Sequence, residues 1–203
     1  MSDHSGRRRR PKPVVPEDPE AAGPPEDPEQ VARQILLRRL SDQPRSRAEL
    51  AASLARRQVP AQVAERLLDR FEEVGLVDDG AFAQAWVDSR HRGRGLARRA
   101  LAYELRHKGV ADDVTHEALG SVDDDSERET ARGLVDRKLA SLRRLDRARA
   151  ERRLVAMLAR KGYGQGLAIS VVRAAMLDRD DEPAGSGGSD DTSDTSGTLL
   201  DLR

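Results

Sequence analysis

Cysteine is absent from this 203-residue sequence, which excludes disulfide bonds and thiolate metal sites. Isoleucine occurs only at positions 35 and 169, and aromatic residues make up 2% of the chain. Ala, Leu, Arg and Glu are abundant instead, and this composition favours helices over sheets.

Long apolar runs are also missing. The basic run at residues 7–10 leads into Pro-Lys-Pro rather than an apolar segment, so no secretory signal is expected. No apolar run approaches the length needed to cross a bilayer. We therefore expect a cytoplasmic protein that makes no membrane contact.

The residue patterns of catalytic and metal sites are missing as well. The four histidines, at positions 4, 91, 107 and 116, are too scattered for a metal site or a catalytic triad, and we expect them to be exposed on helices. Gly93-Arg-Gly and Gly162-Tyr-Gly-Gln-Gly lack the Gly-Lys-Ser/Thr ending of phosphate loops, so helix caps and loops explain them better. The run Asp123-Asp-Asp lacks the following Gly and bidentate Glu of a calcium loop. The sequence predicts a protein that is not an enzyme, with no cofactor and no metal.

The formal net charge of zero conceals an uneven distribution. Residues 1–28 and 178–203 are poor in apolar residues, and we expect them to be a disordered Arg/Pro-rich N-terminal tail and a disordered acidic C-terminal tail. Residues 29–177 carry 29 basic and 22 acidic residues, whereas residues 178–203 carry two basic and eight acidic ones. A basic body indicates an anionic partner surface.

Three segments of the body resemble one another. Residues 50–59, 101–110 and 154–163 each contain two leucines four apart, then two basic residues or His-Lys, then Gly or Gln, then an apolar residue. The offsets are 51 and 53 residues, and such a spacing is typical of a repeat protein. The leucines lie on one face of a helix, and Gly109 and Gly162 stand where a helix end favours a left-handed residue. Gln58 departs from this pattern, and Pro60 supplies a stop of its own.

The sequence predicts an all-α fold of three tandem three-helix repeats that form an elongated, curved helical solenoid. The repeats are predicted at residues 29–77, 78–124 and 125–177. N-caps are expected at Asp27 and Asp146, capping boxes at Ser46-to-Glu49 and Ser126-to-Glu129, and an Arg/Gly-rich loop at residues 91–95. We expect the repeat to depend structurally on Phe82, Trp86, Leu101, Leu105, Gly109, Leu154, Leu158 and Gly162.

Arginine is concentrated at the same position of the second and third repeats. We define cluster 1 as Arg90, Arg92, Arg94, Arg98, Arg99, Arg106 and Lys108, and cluster 2 as Arg143, Arg144, Arg147, Arg149, Arg152 and Arg153. A solvated face balanced by acidic residues would explain such clusters equally well. Their recurrence beside the helix junction favours phosphate or carboxylate recognition, without indicating which.

Residues 78–90 read Asp-Asp-Gly-Ala-Phe-Ala-Gln-Ala-Trp-Val-Asp-Ser-Arg. Residues 98–110 read Arg-Arg-Ala-Leu-Ala-Tyr-Glu-Leu-Arg-His-Lys-Gly-Val. Together these two segments resemble the central signature of the RecX regulatory proteins. The threefold trihelical repeat is similar to that family too, so the resemblance covers about residues 29 to 177. The chain departs from the family pattern at Gly93-Arg-Gly-Leu-Ala, where many members carry a Gly-Pro step.

The resemblance implies a modulator that binds the RecA filament on single-stranded DNA and mostly inhibits its recombinase, ATPase and coprotease activities, regulating DNA repair and the SOS response. It implies that RecA is the partner, with weak or indirect contact to single-stranded DNA. We expect clusters 1 and 2 to make these contacts, so that charge reversal at Arg98 and Arg99 weakens filament binding. Two alternatives stay open: a sequence-independent DNA-binding protein built from helix-turn-helix-like units, and an interaction scaffold without a nucleic-acid role. The absence of a sustained heptad pattern favours a monomer.

Overall fold

The computed structural model describes residues 27–142 and 144–181. Over these residues it contains nine α-helices, one short 3-10 helix and no strand, which confirms the all-α prediction. The helices are α1 (Pro28–Asp42), α2 (Arg47–Arg56), α3 (Ala61–Glu73), α4 (Asp79–Arg94), α5 (Arg98–His107), α6 (Asp112–Leu119), α7 (Asp124–Leu139), α8 (Arg147–Arg160) and α9 (Gln165–Asp181), with the 3-10 helix Ala140–Leu142 after α7. Most of the tails predicted for residues 1–28 and 178–203 lie outside the described residues. The predicted boundaries are wrong at the described ends, because Asp27 and Pro28 start α1 and residues 178–181 continue α9.

The helices form three units of three, each with its own hydrophobic core. Unit 1 is α1 to α3, unit 2 is α4 to α6 and unit 3 is α7 to α9, and the extensive helix contacts are made within units. Both leucines of each repeated segment are fully buried, and they are Leu50, Leu54, Leu101, Leu105, Leu154 and Leu158. This arrangement confirms the prediction of three tandem three-helix repeats.

Most helix starts follow the sequence. Asp27 accepts a hydrogen bond from the backbone N–H of Gln30, and Ser46 forms the expected capping box with Glu49. Asp146 accepts from the N–H of Arg149 at the start of α8. These side chains satisfy donors that a helix start would otherwise leave without partners.

The start of α7 differs from the prediction. Asp123 is its N-cap and accepts from the N–H of Ser126, so Ser126 lies within the first turn and the capping box predicted there is wrong. The helix starts earlier because Asp123 can cap it. The negative charges of Asp124 and Asp125 in the first turn also interact favourably with the positive end of the helix dipole.

The predicted loop at residues 91–95 is wrong too, because α4 continues to Arg94 and ends at the left-handed Gly95. His91 explains the longer helix. It is 7% exposed, and its ring nitrogens lie 2.9 Å from the carbonyl of Leu96 and 3.0 Å from Oγ1 of Thr130. The expectation of exposed histidines is therefore wrong for His91. It holds for positions 107 and 116, and position 4 lies outside the described residues.

The middle helices α2, α5 and α8 all end in the same way. Gly109 and Gly162 have φ angles of 73° and 90°, as predicted. Gln58 also adopts a left-handed conformation, with a φ angle of 58°. The first segment of the repeat, residues 50–59, therefore ends its helix like the other two, although it has no glycine at this position.

Successive units meet at joints formed by the ends of these middle helices. At joint 1, between units 1 and 2, the hydroxyl of Ser46 donates to the carbonyl of Lys108, and Gly109 lies against Ala48. At joint 2, between units 2 and 3, the N–H of Ala97 donates to the carbonyl of Lys161 at 2.9 Å. At each joint the C-terminal end of a middle helix thus faces the N-terminal end of the middle helix of the preceding unit. In this arrangement the two helix dipoles attract each other.

A carboxylate reinforces each joint. The first N–H of α2, at Arg47, donates to Asp79 of α4 at 2.8 Å. The first N–H of α5, at Arg98, donates to Glu127 of α7 at 2.9 Å. In both joints the next unit therefore supplies the acceptor that the middle helix of the previous unit needs at its start.

Tyr163 completes joint 2 and gives it a dependence on pH. Its hydroxyl donates to the carbonyl of Gly95 at 3.1 Å, and the residue is 1% exposed. Burial, and secondarily the charge of Glu127, raise the pKa of Tyr163. The folded state thus favours the neutral phenol of Tyr163. The stability that this phenol contributes is fully present below its unfolded-state pKa of about 10 and is lost as the pH rises above that value.

We expect Tyr163→Phe to cost about 1 kcal/mol at neutral pH, the net value of one hydrogen bond, and to remove this alkaline loss. Urea unfolding between pH 7 and about 11 measures both effects. Tyr103→Phe is the control, because Tyr103 is the other tyrosine and is 60% exposed. An unchanged alkaline slope in Tyr163→Phe would contradict the assignment.

Candidate functional site

Three residues of cluster 1 are engaged inside the molecule. The guanidinium of Arg90 lies 4.1 Å from the centroid of the Trp86 ring, and the ammonium of Lys108 lies 4.6 Å from it. Trp86 donates to Glu104 at 2.8 Å, and Lys108 forms an ion pair with Glu49 of unit 1 at 2.6 Å. Arg90 and Lys108 therefore hold Trp86 and joint 1 in place, and their charges are partly neutralised.

Arg98 is the third engaged residue. Its side chain pairs with Asp124 and, at 3.4 Å, with Glu127, both on α7. The hydrogen bond to Asp124 and the two carboxylate charges raise the pKa of Arg98, although desolvation opposes them. Arg98 thus ties α5 to unit 3 at joint 2.

The other members of cluster 1 lie at the surface. Arg92 pairs with Asp88 at 3.0 Å and Arg106 with Asp112 at 3.2 Å, but these side chains are 75% and 63% exposed. Exposed pairs of this kind contribute little and open readily. Arg94 and Arg99 are exposed and have no carboxylate partner among the described residues.

Cluster 2 lies on and beside α8. Arg147 pairs with Glu151 at 3.2 Å and Arg149 with Asp146 at 3.3 Å. Its other described members are exposed and have no carboxylate partner within the described part of the chain, and they are Arg144, Arg152 and Arg153. Arg143 lies outside the described residues.

Cluster 1 reaches joint 2, whereas cluster 2 lies in and before the N-terminal half of α8. Arg99 lies in the first turn of α5, next to Ala100, the residue that packs against Gly162 at the end of α8. Lys161, the neighbour of Gly162, donates to the carbonyl of Arg94. Arg94, Arg98 and Arg99 of cluster 1 therefore lie at the N-terminal end of α5, where the C-terminal end of α8 docks.

Tyr103 is an exposed aromatic residue that the sequence reasoning missed as a site residue. It is 60% exposed, and its ring centroid lies 4.1 Å from that of His107. Arg99, Tyr103, Arg106 and His107 follow helical spacing and share the outer face of α5. An exposed tyrosine between arginines within a signature already recognised as functional is the signal that could have identified it.

The described residues contain no group of three or more histidine or acidic side chains placed to hold a metal ion. Among them, no helix is both long and apolar enough to span a bilayer. The chemistry that this surface offers is guanidinium recognition of anions, with one aromatic ring beside it.

Comparison with known proteins assigns each unit to a family. The model of the RecX first three-helix domain matches residues 32–71, that of the second matches residues 78–119, and that of the third matches residues 125–172. The "Regulatory protein RecX" of Streptomyces coelicolor is 57% identical over 157 residues, covering 77% of this chain and 84% of that protein. The protein of the same name from Mycobacterium tuberculosis is 50% identical over 155 residues, covering 73% and 87%.

Solved structures share the fold. The crystal structure of RecX from Lactobacillus salivarius superimposes with a TM-score of 0.68 at 17% sequence identity and covers 74% of this chain and 98% of that one. A second crystal structure of a regulatory protein RecX gives a TM-score of 0.63 at 22% identity and covers 71% of each chain. With three matching domain models and relatives of this similarity, the chain belongs to the RecX family of regulatory proteins.

Proposed function

We propose that this protein binds the RecA filament on single-stranded DNA and restrains its recombinase, ATPase and coprotease activities. The observation that carries the proposal is a set of exposed arginines at joint 2 and on or beside α8, in a chain of the RecX family. These arginines have no carboxylate partner among the residues that the structure describes. They are Arg94, Arg99, Arg144, Arg152 and Arg153. Carboxylates of a protein surface and phosphates of DNA are the anions that such guanidinium groups bind.

The order of the units supports a polymeric partner. Units 1, 2 and 3 are connected in a row by two similar joints, so equivalent surfaces recur along the molecule. A filament presents its own surfaces at regular intervals, and a row of units can contact neighbouring subunits together. The protein would then shift filament assembly by its different affinities for the states of the filament.

We expect the triple charge reversal Arg99→Glu, Arg152→Glu and Arg153→Glu to reduce filament affinity by a factor on the order of 10²–10³, if each lost contact contributes roughly 1–1.5 kcal/mol. Co-sedimentation with RecA assembled on single-stranded DNA measures it. Arg98 is left intact, because its reversal would break joint 2 and confuse binding with folding.

The control carries Arg38→Glu, Arg66→Glu and Arg70→Glu, which make the same charge change on exposed residues of unit 1. We expect it to bind nearly normally apart from a small salt-dependent effect. Equal losses in both variants would show that net charge alone governs binding and would refute the assigned surface.

Direct binding of single-stranded DNA is the second candidate function, and Tyr103 is the observation that favours it. An exposed ring beside arginines can stack on a base while the cations contact phosphates. In that case the protein should sediment with DNA lacking RecA, its affinity should fall steeply with salt, and Tyr103→Ala should weaken it by roughly 1–3 kcal/mol. Binding that requires RecA favours the first function, and binding to neither leaves the scaffold alternative.

A further inference from the structure

Unit 3 carries an apolar groove between α8 and α9. The groove has a volume of about 390 Å³, and its lining includes Arg152, Val155, Ala156, Ile169, Val172 and Arg173. Val172 is almost fully buried, whereas Val155 and Ile169 are only partly buried. Apolar side chains are therefore accessible beside two arginines and one glutamate, Glu151, whose charge is paired with Arg147.

The repeat does not require an apolar residue at the position of Ile169. It is the fifth residue of α9, and the fifth residues of α3 and α6 are Glu65 and His116, both exposed. Ile169 also lies outside the hydrophobic core cluster of unit 3. Packing of the unit thus does not account for this isoleucine.

A segment of suitable chemistry follows α9 in the sequence. Residues 182–198 consist largely of Gly, Ser, Thr and Asp, and residues 199–202 read Leu-Leu-Asp-Leu. Residues 182–203 contain five acidic residues and one Arg. Leucines match the apolar groove, and the acidic residues match Arg152 and Arg173, which have no carboxylate partner among the described residues.

We propose that residues 199–202 of this chain bind the groove between α8 and α9. The acidic residues before them would then lie near Arg152 and Arg173. The groove would have an intramolecular occupant that covers part of cluster 2. This docking is independent of filament binding and can be measured on the protein alone.

The length of the intervening segment suits this geometry. From Ile169 to Asp181 the chain runs along α9 for about 18 Å at 1.5 Å per residue. The 17 residues at 182–198 can extend to at most about 60 Å, and a Gly-rich segment of that length has a root-mean-square span of roughly 20–25 Å. Because the segment is tethered at a matching distance, its effective concentration at the groove is on the order of millimolar. A second copy at micromolar concentration is a weaker competitor for the groove.

The composition of the chain provides a selective experiment. Since it has no cysteine, Ser196→Cys gives a single attachment site for a nitroxide spin label. Because Ile35 and Ile169 are the only isoleucines, the full-length chain with labelled isoleucine δ1 methyls should give two NMR signals. We expect the nitroxide to remove most of the Ile169 signal and to leave that of Ile35, which lies in the core of unit 1.

Two variants of the labelled chain test the contacts. The triple variant Leu199→Ser, Leu200→Ser and Leu202→Ser should restore the Ile169 signal. The single variant Arg173→Asp should restore it too. This substitution introduces the residue type found at the equivalent position of α3, Asp69. Arg160→Asp is the matched control, because Arg160 is exposed on α8 but does not line the groove. It should leave the Ile169 signal suppressed.

Three outcomes would overturn the proposal. Equal signal loss at Ile35 and Ile169 would show no preferred site. Persistent loss at Ile169 in the triple leucine variant would show that the tether alone brings the label close. Loss at Ile169 when isoleucine-labelled chains are mixed with separate spin-labelled chains would assign the groove to a second copy.

Discussion

We expect Gly162→Ala to lower the free energy of unfolding by roughly 2–5 kcal/mol, which combines about 1–2 kcal/mol for a left-handed alanine with about 1–3 kcal/mol for overpacking. The φ angle of Gly162 is 90°, so any side chain there is strained. An added Cβ would also lie 2.7 Å from both the Cβ and the backbone nitrogen of Ala100. A backbone atom within α5 cannot move without displacing the helix, and we therefore expect joint 2 to loosen.

Gly75→Ala is a close control for this substitution. The φ angle of Gly75 is 71°, but an added Cβ would meet no atom within 4 Å. Gly75→Ala should therefore lower the free energy of unfolding only by the cost of a left-handed alanine, about 1–2 kcal/mol. Chemical denaturation of both variants gives the difference, which measures the close approach of units 2 and 3. If the two substitutions cost the same, Gly162 would be a helix cap and nothing more.

The joints show which part of this architecture the sequence could predict. Leucines four apart followed by glycine predict a helix and its end, because both features depend on neighbours in the chain. The approach of Gly109 to Ala48 and of Gly162 to Ala100 depends on residues more than 60 positions away. A sequence repeat shows that units exist but does not show which atoms of one unit touch the next.

The joints explain why Gln58 can replace glycine at the end of α2. Glycine is needed at the end of α5 and of α8 because a preceding unit lies against it. At the end of α2 no such joint forms among the described residues, so a side chain can occupy the left-handed position at the cost of backbone strain alone. The departure from the repeat therefore falls at the one middle-helix end that, among the described residues, meets no preceding unit.

The arginine clusters were the less predictable part of the site. The sequence shows how many cations lie close together, but their partners come from other units, as Glu49 does for Lys108 and Glu127 for Arg98. Cluster 1 is consequently divided between residues that hold joints and residues that face solvent. Because Arg98 holds joint 2 and Arg99 is exposed, a test of filament binding should substitute Arg99 and leave Arg98 intact.

The largest effect on cooperativity is expected from Leu105→Ala. Leu105 is fully buried in the core of unit 2, and its truncation should cost roughly 2–5 kcal/mol. In an array stabilised by units and by their nearest neighbours, loss of the middle unit also removes the contacts of both joints. Amide hydrogen exchange should then show reduced protection in α2 and α8 as well as in α5.

Leu54→Ala provides the comparison that separates this coupling from simple destabilisation. Leu54 occupies the equivalent position in unit 1 and is also fully buried, so its local cost should be similar. Unit 1 takes part in joint 1 only, and protection in α8 should therefore remain close to normal. If Leu105→Ala left α2 and α8 fully protected while unit 2 opened, the units would be stable independently and the joints would contribute little. Suppose instead that Leu105→Ala reduces protection in α2 and α8, while Leu54→Ala leaves α8 protected. Unit 2 would then be the element that makes the row of units act as one body. The proposed contact with several filament subunits at once requires such a body.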